Sequence, residues 1–149
     1  MIRIGVQTAP IDLAEALAGV EASIEAAGMG GIASFTGLVR ADDGVAALTL
    51  EHYPGMTEAA LQAVAEAAVA RWSLGAVTIL HRVGTMRPGE RIVFVATAAA
   101  HRAEALAACS YCIDRLKTDA PFWKREATQA GDRWVEARPA DANAAQDWG

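Results

Sequence analysis

At 149 residues the chain is sized for one domain with a real core. A formal net charge of -5 excludes a general nucleic-acid or membrane-surface binder. The hydrophobic fraction is 53%, inflated by alanine, and no apolar run is long enough to span a bilayer.

Ile2 to Val6 alternates and is short, which predicts an edge strand. The same N-terminus lacks a long apolar stretch, so no signal peptide is expected. Asp12 is placed to cap a helix running to about Ala27, with Leu13, Leu17, Val20 and Ile24 on one face. Gly28-Met-Gly-Gly31 ends it. Ile32 to Arg40 reads as a strand, 41–44 as a turn, and Val45 to Tyr53 as the returning strand, so the two are expected to form a hairpin. Pro54-Gly55 breaks that strand. Thr57 is the expected cap of a second helix, with Glu58 in its first turn and Leu61, Val64, Ala65, Ala68 and Trp72 at helical spacing.

Gly75 to Val83 predicts a strand, Arg87-Pro88-Gly89 a turn, and Arg91 to Thr97 a further strand. A third helix is expected from about Ala100 to Thr118, with Leu106, Cys109, Ile113 and Leu116 as its apolar face, and Pro121 blocks its continuation. Short strands and loops follow, then a polar, Ala-rich tail from Ala140 expected to fray. Paired strands between helices predict an α+β domain over residues 1–149, an antiparallel sheet with helices packed on it.

The charge is uneven. Seven of the thirteen basic residues lie between Arg102 and Arg138, which suggests one small anionic ligand or an acidic chain end on an acidic body. Lys117 and Lys124 are the only lysines of the whole sequence; the other eleven cations are arginine. An amine can lose its proton and act as base or nucleophile, whereas a guanidinium cannot. Chance proximity in a chain biased toward Arg and Ala is the competing reading. His101-Arg102 opens the third helix, where free N–H groups and an Arg fork favour an anion. A solvated helix start explains that dipeptide equally well. Gly37 marks a bulge or a close backbone approach in the strand that Arg40 closes. His52 and His81 read as hydrogen-bonded structural residues on strands. Cys109-Ser-Tyr-Cys112 sits mid-helix rather than at a helix start and has no second cysteine pair, so it reads as buried small hydrophobes and not as a redox or zinc motif. No metal or cofactor motif is found. The thiol usage fits a reducing cytoplasm.

Thr49-Leu-Glu-His-Tyr-Pro-Gly-Met-Thr57, Ala100-His-Arg102, Leu116-Lys-Thr118, Ala120-Pro-Phe-Trp-Lys-Arg-Glu126 and Gly131-Asp-Arg-Trp-Val-Glu-Ala-Arg138 together resemble the large, catalytic subunit family of molybdopterin synthase, MoaE. The resemblance runs from about Gly31 to Arg138. It implies an α/β-hammerhead fold and a sulfurtransferase that converts cyclic pyranopterin monophosphate to molybdopterin. It implies no cofactor. The sulfur would arrive as a thiocarboxylate on the C-terminal Gly-Gly tail of a small ubiquitin-like subunit, and the large subunits would pair as a homodimer within a heterotetramer. By position, Lys117 and Lys124 match the family's essential lysines. Leu38, Val39, Arg40, His101, Arg102, Lys117, Lys124, Arg125 and Glu126 match its substrate-pocket positions. Leu38 departs from the basic residue that a bacterial member of the family has there, which leaves a backbone contact, and the 41–44 turn looks shorter.

Two other functions compete. A non-catalytic module holding a ubiquitin-like tail or a phosphate ligand needs positive charge but no amine. An RNA-binding α+β domain needs exposed aromatics on a basic sheet face, and the aromatics here are expected in loops.

Overall fold

Strand and helix patterning sorts the chain into eight strands and three main helices among the described residues. The computed structural model describes residues 1–24, 28–40, 44–128, 131–135, 144–146 and 148. In chain order the elements are β1 (Ile2–Gln7), α1 (Leu13–Ser23), β2 (Gly31–Leu38), β3 (Ala47–His52), α2 (Met56–Trp72), β4 (Ala76–Arg82), β5 (Gly84–Met86), β6 (Arg91–Ala99), α3 (Arg102–Asp119), β7 (Phe122–Thr128) and β8 (Gly131–Val135).

Two four-stranded sheets result, ordered β1-β4-β6-β2 and β5-β3-β7-β8. β1 is an edge strand as expected, but it pairs parallel with β4; the other pairings are antiparallel. The expected β2–β3 hairpin does not form. β2 pairs with β6, and β3 lies in the other sheet between β5 and β7. The reason is burial. Ala33 of β2 joins the core under α2 and α3, while Leu48 and Leu50 of β3 join a separate cluster with Val39, Val83 and Met86. Gly37 makes the close approach its sequence suggested: a Cβ there would sit 2.6 Å from a methyl of Val93.

Helix signals hold with adjustments. Asp12 accepts from the Glu15 N–H and caps α1, which closes at Ser23; 25–27 lie outside the described residues, as do 41–43 of the expected turn. Gly55, at φ 87°, is the cap of α2, and Glu58 accepts from its N–H. Thr57 is instead a fully buried strut. Its Oγ1 accepts from the Tyr53 N–H and donates to the Pro121 carbonyl. On α3 the buried face is Ala105, Ala108, Cys109, Tyr111, Cys112 and Leu116; Leu106 is 61% exposed, contrary to expectation. α3 packs on β2 and β6 with its N-terminal end near the Ala99 end of β6, so its other end lies toward the start of β6 and the end of β2.

The aromatics sit mainly on regular elements rather than in loops: Phe35, Phe94, Phe122 and Trp123 on strands, Trp72 and Tyr111 on helices. The described part of the tail is docked. Trp148 packs edge-on against Trp72 and Tyr111 and donates to Asp114, while Arg71 stacks over all three rings. No helix among the described residues is long and apolar enough to cross a membrane.

Candidate active site

Lys117 occupies the last turn of α3 and is exposed. Lys124 sits centrally in β7, opposite Leu50 of β3. Leu50 is buried, and directly opposed residues share a face, so Lys124 leaves β7 on its inner side with Phe122 and Glu126. Trp123 and Arg125 alternate to the other face, where the Trp123 indole donates to the Tyr53 hydroxyl. The Lys124-Arg125-Glu126 run therefore does not converge as a unit: strand alternation turns Arg125 away from Lys124 and Glu126.

His81 lies within reach of the charges of both lysines. It follows Val77 and Ile79 on the α3-facing side of β4 and is buried. Its ring stacks on Phe122 with centroids 4.1 Å apart, and its Nδ1 lies 2.9 Å from the Arg82 carbonyl. Burial, reinforced by the charges of Lys124 and Lys117, lowers its pKa to about 4. That bears out the hydrogen-bonded structural role on a strand that the sequence suggested for His81. Phe122, Lys117 and Lys124 are distant from it in the chain, so no local signal marks them as its neighbours.

Arg40 follows β2 at the same end of the fold as Lys117, because β2 runs antiparallel to β6 as α3 does. The segment before it is fixed from below. The Arg82 guanidinium donates to the Thr8 carbonyl and to Glu90, and the Glu90 carbonyl accepts from the Val39 N–H. Val39 itself is buried, with its N–H and carbonyl paired to Glu90 and Gly89. Its side chain packs in the cluster with Leu48, Leu50, Val83 and Met86. Leu38 is 54% exposed and follows a register shift between β2 and β6.

His101 and Arg102 lie elsewhere. His101 is the N-cap residue of α3, with Arg102 first in the helix, and both are exposed. Fifteen residues of helix separate Arg102 from Lys117, roughly 22 Å. One copy of the chain does not bring the two halves of the expected pocket together.

The two cysteines sit in the core as expected. Burial pushes the Cys109 thiol up to about 11 and the Cys112 thiol up to about 12. Both are protonated at neutral pH and unsuited to carry sulfur. Among the described residues no cluster of three or more His, Cys, Asp or Glu could hold a metal ion.

The family model described as MoaE protein matches residues 6–119. The molybdopterin synthase catalytic subunit of Escherichia coli K12 is 56% identical over 122 residues, covering 80% of this chain and 81% of that protein. The chain belongs to the MoaE family. Its fold agrees: the MoaE protein of Burkholderia ambifaria superposes with a TM-score of 0.86 at 48% identity, covering 100% of this chain and 99% of the other. Molybdopterin synthase from Staphylococcus aureus gives 0.79 at 29% identity, covering 88% and 95%. The MoaE match ends at Asp119, so Lys117 falls within it and Lys124 just beyond.

Proposed function

We propose that this chain is the catalytic subunit of a cytoplasmic molybdopterin synthase. It moves sulfur from the thiocarboxylated Gly-Gly tail of a small ubiquitin-like subunit onto cyclic pyranopterin monophosphate. The carrying observation is that the charges of the chain's only two lysines, one in the last turn of α3 and one on β7, both bear on one buried histidine. Lys117, in the exposed last turn, meets the incoming glycine carbonyl carbon and assists transfer. Lys124 orients the pterin and stabilises the negative charge that develops. Arg40 and, on the same inner face as Lys124, Glu126 complete the near side.

His101 and Arg102 bind the phosphate from a second copy. Three features support this. The helix length keeps them from the lysines of their own chain. β2 is a free edge strand, with Phe35 and Leu38 exposed. Between β2 and α3 lies an open, mainly apolar hollow of about 310 Å³ whose lining includes Ala33, Phe35, Leu106, Cys109 and Ile113 together with Ser34 and Ser110. A two-fold contact along this face sets the two α3 helices antiparallel. It carries His101 and Arg102 of the partner subunit toward Lys117 and Arg40.

A module that only binds a tail or a phosphate would accept arginine at both lysine positions. Lys117→Arg and Lys124→Arg should each abolish most molybdopterin formation from thiocarboxylated partner while the complex still assembles. Near-normal turnover in both variants would refute the catalytic reading.

A further inference from the structure

We infer that His81 is a positioning residue whose ring nitrogen Nε2 holds the Lys124 amine in line with Lys117. The inference rests on the catalytic reading of the lysine pair and adds to it a residue far away in sequence.

The geometry carries it. A carbonyl can only accept, so the 2.9 Å contact to the Arg82 carbonyl makes Nδ1 the protonated nitrogen. Nε2 then carries the lone pair, the natural acceptor for an ammonium. Phe122 fixes the ring plane by stacking on it, and Phe122 and Lys124 leave β7 on the same face two residues apart. The lysine stem therefore starts beside the ring that Phe122 covers. From the last turn of α3, Lys117 is near enough for its charge to bear on the ring as well. These two ammonium groups are the charged side chains that bear on the ring, Lys124 more strongly than Lys117.

The chemistry suits this role. A site for an anionic tail and a phosphorylated pterin needs its cations pointed outward at the ligands. A third positive charge beneath them would push the amines apart. A buried imidazole stays neutral and still offers one acceptor. A carboxylate at the same place would neutralise the amine it holds, and an aliphatic side chain would offer no acceptor.

The test contrasts two substitutions that keep different halves of the side chain. His81→Phe keeps the stacked ring and loses the acceptor; His81→Gln keeps an acceptor and loses the ring. With saturating thiocarboxylated partner, His81→Phe should lose on the order of 10- to 100-fold in kcat with KM for the pterin little changed. His81→Gln should recover much of that loss. The reverse ranking, with Phe active and Gln inactive, would reduce His81 to a packing residue and overturn the inference.

A second measurement needs neither turnover nor a variant that turns over. With only two lysines, the chain labelled with ε-13C-lysine gives two ε-carbon signals. The Lys124 signal, assigned with Lys124→Arg, should move when His81 is substituted by either residue. An unmoved signal in a folded variant would overturn the contact. If Lys117→Arg and Lys124→Arg keep full turnover while the signal still moves, the lysine mechanism fails and the contact stands.

Discussion

Burial holds the His81 pKa at about 4, against 6.5 for an exposed histidine. The sign follows from which state binds the proton. Between those values the unfolded chain is protonated at this site and the folded chain is not, so stability falls as pH drops through the window. The full shift amounts to about 3 kcal/mol for this fully buried group. Denaturant midpoints at about pH 7 and pH 4.5 should therefore diverge less in His81→Phe than in the unaltered chain. Equal divergence in the two would place the acid sensitivity elsewhere. His81 also marks a limit of residue-level reading. A lone histidine on an apolar strand is ordinary until a helix end and a second sheet close over it. Cys109 and Cys112 are the opposite case: their mid-helix position alone told that they were core.

At the scale of elements, periodicity located the helices and most strands because it reports burial on one face, which is a local property. Pairing is not local. β2 and β3 look like a hairpin on the page, yet each buries its apolar face in a different core cluster, and partners far along the chain decide the ladder. Thr57 shows the same thing at one helix end. Its sequence fits a cap, but the residue lies inside, tying the start of α2 to the Pro121 carbonyl between α3 and β7. That joint anchors the short connection between the two lysine-bearing elements to the start of α2. Thr57→Val keeps the shape, leaves the Tyr53 N–H and the Pro121 carbonyl without this partner, and should cost about 1–3 kcal/mol in chemical denaturation. A loss under about 0.5 kcal/mol would mean that other groups or solvent replace both bonds.

For the whole molecule, the separation of Arg102 from Lys117 is the reason the proposed site draws on two copies. Lys117→Ala and Arg102→Ala chains, each inactive alone, should regain about a quarter of full activity when refolded together, because each mixed dimer holds one intact site. Absence of any recovery, with mixed dimers demonstrated, would mean that each copy acts with its own Arg102. The sequence by itself determined the class of fold, the helices, the buried cysteines and the family, since motif identity, periodicity and residue chemistry are carried by the residues themselves. Only the tertiary structure decided which strands pair, that Val39 is buried, that Arg125 turns away from Lys124, that His81 stacks on Phe122 within reach of both lysine charges, and that His101 and Arg102 stand at the far end of their helix. Those outcomes depend on distance and facing in space, which are set when distant apolar faces are buried together.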